Sequence, residues 1–198
     1  MKHGFIGFGN LAQAIYLGLK HNDGASFHYV SKSNNHKEIK AAKSIAELVV
    51  ASDIIWMCVK PKDLTEVLAD LQKTDLTNKT VVSPVAGKTI EFIEGYIGKE
   101  TTVVRIMPNL AIAHRKSITA LCSNSGSSAT ERVEKCLEQL GKVVNLPEKD
   151  FDLFTAIFGS GPAFILEILK VFKSKIKELD LEKSVSDGLL VELLKSTM

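Results

Sequence analysis

The sequence predicts an α/β fold: a doubly wound sheet over 1–147, then a small all-helical domain over 148–198. Short apolar runs alternate with stretches of helical periodicity, the mark of strands joined by crossover helices. Several early runs are apolar throughout rather than alternating, as in strands covered on both faces. After Pro147 no strand pattern remains.

The strand patterns are "HGFIG" (3–7), "SFHYV" (26–30), "DIIWMCV" (53–59), "TVVSPV" (80–85), "TVVRIM" (102–107), "SITALC" (117–122) and "KVVNL" (142–146). Most are rich in β-branched or aromatic residues and end at Gly, Asp, Asn, Ser or Lys. Helical patterns fill 10–21, 36–50, 62–73, 89–97 and 127–140. In the last, Ser128 is placed to cap a helix with Val133, Leu137 and Leu140 on one face. Beyond Pro147, Asp150 or Asp152 can start a helix that "GSGP" interrupts. Ser160 can cap the next, with Pro162 in its first turn, where a missing N–H costs little. Phe164, Ile165, Ile168, Leu169 and Phe172 line that helix toward Leu179, Asp180 is placed to end it, and a last helix follows from about Glu182. These apolar faces are too large for some fifty residues to hide, so the segment is expected to pack on another subunit or on further chain.

Composition narrows the class. With 45% hydrophobic and 24% charged residues, the 198-residue chain is globular rather than disordered. A net charge of +2 and scattered lysines give no basic stripe for nucleic acid. Cys58, Cys122 and Cys136 are far apart and lack CxxC spacing, which argues against a zinc site or a disulfide framework and for reduced thiols. His3, His21, His28, His36 and His114 form no ligand spacing. The sequence reading finds no unbroken apolar membrane span and no leader peptide, so the expected compartment is the cytoplasm.

The stretch "GFIGFGNLAQAI" (4–15) carries the first functional signal. A strand ending at Gly7 and a helix beginning near Asn10 put 7–9 at a tight turn. Gly7 permits the turn, Gly9 lets backbone N–H groups approach a phosphate, and small Ala12 lets helix and strand pack closely. A pyrophosphate there meets the positive end of the helix dipole. Alone, GxGxxA is a weak signature. Its place between an N-terminal strand and an amphipathic helix strengthens the reading as a dinucleotide site.

After the second strand comes "SKSNN" (31–35), without the carboxylate that holds a ribose 2′-hydroxyl in NAD sites. Ser31, Lys32 and Ser33 suit a 2′-phosphate, so NADP(H) is favoured over NAD(H). A plain polar loop is the alternative. Lys60 and Pro61, in "CVKPKD" (58–63), follow the third strand, where ligands bind in such sheets. Lys60 before a proline is held extended, and a simple surface lysine fits equally well. "VSPVAGKT" (82–89) and "RIMPNLA" (105–111) read as loop architecture from spacing alone, or as borders of the nicotinamide.

Taken together, "GFIGFGNLAQAI", "VKP", "SPVAG", "VVRIMPN" and "FTAIFGSGPAF", in that order, resemble pyrroline-5-carboxylate reductases, from Gly4 to the last helix. The resemblance implies a Rossmann domain followed by a helical dimerisation domain, and a homodimer or larger homo-oligomer. It implies reduction of the ring C=N of 1-pyrroline-5-carboxylate to L-proline with NAD(P)H. By motif match, Ile6, Gly7, Phe8, Gly9, Asn10 and Leu11 border the pyrophosphate and Ser31 and Ser33 the adenosine. Val59, Lys60 and Ala86 line the nicotinamide end. Asn109 and the turn Ser160, Gly161, Pro162 border the substrate. No catalytic side chain is assigned, because a protonated imine needs an aligned hydride donor, a home for the carboxylate and exclusion of water.

The chain departs from the family in two places. Where the family continues Thr-Pro-Ala after "MPN", Leu110, His114 and Arg115 stand in "LAIAHRKS". The "SPGGTT"-like loop of the family's later helices is absent up to Met198, so 148–198 is read as a truncated form of the helical domain. Two rival readings remain. One is an NADP-binding sensor or assembly protein without turnover. The other is a β-hydroxyacid dehydrogenase relative, which needs a helix Lys with Asn four residues on. Lys170 and Lys173 are followed there by Ser174 and Lys177.

Overall fold

A computed structural model describes residues 1–32, 36–179 and 181–196; Ser33 and Asp180 lie outside the described residues. The strands are β1 (Lys2–Ile6), β2 (Ser26–Val30), β3 (Lys40–Ala41), β4 (Ile54–Met57), β5 (Thr80–Ser83), β6 (Thr102–Met107), β7 (Ser117–Ser123) and β8 (Gly141–Asn145). Among the described residues they form one sheet in the order β3-β2-β1-β4-β5-β6-β7-β8. The helices are α1 (Asn10–Leu19), α2 (Ile45–Val50), α3 (Leu64–Leu71), α4 (Ile90–Ile97), α5 (Ser128–Glu138), α6 (Phe151–Phe154), α7 (Gly161–Ile176) and α8 (Lys183–Ser196).

The continuous apolar strands are buried on both faces. Phe5, Ile54, Trp56, Val82, Val104 and Ile106 turn toward α1 and α5. Their neighbours Ile6, Ile55, Met57, Val81 and Val103 turn toward α2, α3 and α4. Successive side chains of a strand point to opposite faces, so each run feeds two cores.

From β3 to β6 every pairing is parallel, whereas β6 and β7 pair antiparallel. The link from Met107 to Ser117 holds only a 3-10 turn, Leu110–His114, which is too short for a parallel crossover.

The helical pattern expected over 36–50 is corrected. Residues 40–41 pair with β2, Ala42 N–H donates to the Tyr29 carbonyl, and helix begins only at Ile45. Ile39 and Ala42 are three apart, as on one helix face, yet they enter cores on opposite sides of the sheet. Ser44 caps α2 by accepting from Glu47 N–H. The cap of α5 is Ser127 by position, not Ser128, and no side-chain bond completes it among the described residues.

The chain divides into two compact units, Met1–Thr155 and Ala156–Met198. This is later than the expected boundary at 147, because Phe151 and Phe154 bury with Met107 and Ala120 of the sheet. In the second unit none of the α7 residues is buried. The stretch Glu148–Leu179 has a mean hydropathy of 1.4 over an 18-residue window, apolar and long enough by composition to cross a membrane. The expectation that no segment has the apolar length of a span is corrected here, by length and composition alone. Helical pairing in fact runs through a π-turn at Thr155–Gly159, up to Ser160.

Candidate functional site

The carboxyl ends of β1, β2, β4, β5 and β6 lie along one edge of the sheet. Ile6 is level with Val30 and Met57, and Ser83 with Arg105. The residues that follow these strands therefore share one rim, the ligand-binding side of an open α/β sheet.

The first turn is built from both neighbouring strands. Gly7 N–H donates to the Val30 carbonyl and Cys58 N–H to the Ile6 carbonyl, each at 2.8 Å. Gly7 has φ +82°, and a Cβ there would meet the Cys58 carbonyl oxygen at 2.5 Å. Gly9 differs. Its φ of −80° suits any residue, and among the described residues nothing lies within 4 Å of where its Cβ would be. The space is left open in front of α1. No acidic residue stands in the first turn of that helix, and no side chain caps it among the described residues. Its N–H groups and dipole are thus available to an anion.

Two residues assigned to the pyrophosphate turn their side chains inward. Ile6 joins one core, and Phe8, at 5% exposure, packs against Phe5, Tyr16, Tyr29 and His36. Only their backbone reaches the rim. Asn10 is exposed and Leu11 half-buried.

Beyond β2, Ser31 is half-buried and Lys32 exposed. The Lys32 ammonium sits 3.5 Å from Glu66 and 3.9 Å from Asp63, at the start of α3. Beyond β4, burial pushes the Cys58 thiol up to about 12, so it is inert as a nucleophile. Val59 is half-buried and Lys60 exposed and extended (φ −69°, ψ 150°), ahead of the 3-10 turn Pro61–Asp63. Ala86 is exposed beyond β5, beside Gly87 at φ +69°. Asn109, beyond β6, donates its N–H to Ser117 Oγ, and its Oδ1 accepts from Ala111 N–H. Its carboxamide thus shapes the link to β7.

In the second unit, Ser160 occupies the N-cap position of α7, with Gly161 and Pro162 opening the helix. No side chain caps it among the described residues, and its first turn carries no acidic residue.

The sequence reading missed Arg105. Its side chain is 4% exposed and pairs with Glu148 Oε1 at 2.9 Å, while the guanidinium lies 4.7 Å over the Phe151 ring. The same carboxylate oxygen accepts the Ile90 N–H at 2.8 Å, joining β6, α4 and the segment after β8. A lone Arg within an apolar strand was the available signal, since a buried charge demands a partner. Among the described residues no His, Cys, Asp or Glu cluster could hold a metal ion. A cavity of about 350 Å³ beside the glycine turn is lined by Phe8, Gln13, Tyr16, His36 and Lys37. A cleft of about 850 Å³ lies at the opposite rim, between 76–79 and 98–102, away from these residues.

An open glycine turn and a bare helix end on the carboxyl rim of a doubly wound sheet define a protein of the dinucleotide-binding class. Residues 2–87 match the family model described as "NADP oxidoreductase coenzyme F420-dependent". The chain is 35% identical over 178 residues to the pyrroline-5-carboxylate reductase of Aquifex aeolicus, covering 85% of this chain and 66% of that one. It is 29% identical over 206 residues to pyrroline-5-carboxylate reductase 2 of Bacillus subtilis, covering 98% of this chain and 74% of the relative. The crystal structure of the Plasmodium falciparum enzyme with NADP bound superposes with a TM-score of 0.90 at 26% identity, over 99% of this chain and 76% of that one. The chain belongs to the pyrroline-5-carboxylate reductase family.

Proposed function

We propose that the chain catalyses NADPH-dependent reduction of 1-pyrroline-5-carboxylate to L-proline. The observation that carries this reading is a bare, acid-free helix N-terminus behind Gly9, in a chain that resembles reductases of that name over nearly all its length. The Plasmodium relative is described with NADP bound, and the cradle at Gly7 and Gly9 fits the same group.

When bound, the cofactor supplies the hydride for the ring C=N. The backbone from Ile6 to Leu11 holds the pyrophosphate through N–H groups and the α1 dipole. Ser31, Lys32 and Ser33 hold the adenosine ribose and its 2′-phosphate. Val59, Lys60, Pro61 and Ala86 border the nicotinamide, fix its ring and exclude water from one side. Asn109 borders the substrate; within the helical unit, the turn Ser160, Gly161, Pro162 opens the bare N-terminus of α7, which suits a carboxylate. The helical segment forms a homodimer. The support is its exposed apolar surface, including Phe164 at 65%, Ile168 at 59% and Val171 at 65%. Glu167 and Lys170 on the same helix favour a protein partner over lipid. Three free thiols support a reducing, cytoplasmic compartment.

The test follows NADPH absorbance with 1-pyrroline-5-carboxylate on the 198-residue chain, with a parallel NADPH titration by Trp56 fluorescence. Oxidation coupled to proline formation is the expected result. Binding without oxidation would leave a cofactor-binding protein and refute the reductase reading for this chain.

A further inference from the structure

The position of Lys32 goes beyond the cofactor reading and rests on it. We propose that Asp63 and Glu66 set the preference between NADPH and NADH by competing with the 2′-phosphate for Lys32. Lys32 follows β2, where the adenosine ribose lies in the reading above. Its ammonium is 3.5 Å from Glu66 Oε2 and 3.9 Å from Asp63 Oδ1. Both carboxylates come from the other side of the rim, after β4. Asp63 holds the N-cap position of α3, yet among the described residues its carboxylate makes no capping bond. Glu66 lies in the first turn of the same helix. One cation thus faces two anions already stabilised by the positive end of a helix dipole.

A phosphate monoester brings a charge of about −1.5 to −2. To reach Lys32 it must displace two carboxylates or sit beside them. A ribose 2′-hydroxyl carries no charge and meets neither cost. The sign of the effect follows: the two acids weaken NADPH binding and leave NADH nearly untouched. The side chains of Lys32, Asp63 and Glu66 are 84%, 34% and 70% exposed. Exposed pairs exchange readily and are screened by salt, so each acid is worth about two- to fivefold in affinity at low ionic strength.

Dissociation constants for both nucleotides, measured by calorimetry on the full chain at low and high salt, test this. Glu66→Gln and Asp63→Asn should each tighten NADPH by about two- to fivefold and move NADH by less than about 1.5-fold. High salt should shrink the gain. Lys32→Met should weaken NADPH and cancel the gain when combined with Glu66→Gln. The proposal is overturned if both nucleotides shift together, or if the gain survives in the Lys32→Met background. If the wild-type chain binds neither nucleotide, the cofactor reading itself fails, and this proposal with it.

Discussion

At Gly7 an added Cβ would overlap the Cys58 carbonyl oxygen, and φ is +82°. Gly7→Ala is therefore expected to destabilise the fold by about 2–4 kcal/mol, read as a lower denaturant midpoint. Gly9 has open space and an ordinary φ. Gly9→Asp should fold with a near-normal midpoint yet lose NADPH binding, because its carboxylate would stand where the pyrophosphate goes. Unchanged NADPH affinity in that variant would remove the turn from the site. Both glycines are legible in the sequence; that only one is required by the fold itself is not. His3 was unreadable in another way. Its Nδ1 accepts the Trp56 indole N–H at 3.2 Å, and burial, with the nearby N-terminal ammonium, lowers its pKa to about 4. The neutral ring is the folded form. Stability is then fully present above pH 6.5 and falls as pH drops from there toward 4, by on the order of 3 kcal/mol. Urea titrations followed by Trp56, the sole tryptophan, check this. An identical acid slope in His3→Phe would assign the loss to other groups.

Each end of α1 is set by a different part of the chain. Its N-terminus is left bare, whereas its C-terminal carbonyl at Gly18 accepts both Nε and Nη2 of Arg115, at 3.2 and 3.1 Å. Arg115, one of the departures from the family pattern, thus closes the helix whose other end is the proposed cofactor site. It holds φ +56°, a conformation that its tie to Gly18 supports. Among the other elements, β6 depends on Glu148. Glu148→Ala would leave Arg105 buried without its carboxylate and Ile90 N–H without its acceptor. A loss of about 3–5 kcal/mol is expected, and Arg105→Met in the same chain should restore part of it. No recovery in the double variant would show that Glu148 acts through contacts other than this pair. Element types and most bounds were legible because hydrophobic period is a local property. The failure at 36–50 has the same root: Ile39 and Ala42 keep a helical spacing, and only the sheet between two cores separates them.

Over the whole molecule, a sheet buried on both faces contrasts with α7, none of whose residues is buried. Such a surface needs a cover in water. Under the proposed homodimer, Ile168→Asp should shift the sedimentation of the chain to that of a monomer while Trp56 fluorescence stays native. A wild-type chain already monomeric at micromolar concentration would refute the dimer. The sequence alone determined the alternating layers, the glycine turn, the bare helix start and the family motifs, because each is written in residues close along the chain. Tertiary structure decided which polar groups meet: Arg105 with Glu148 across 43 positions, His3 with Trp56 across 53, Lys32 with Glu66 across 34 and Arg115 with the Gly18 carbonyl across 97. Those partners depend on strand order and on which face each side chain takes, and no local spacing encodes either.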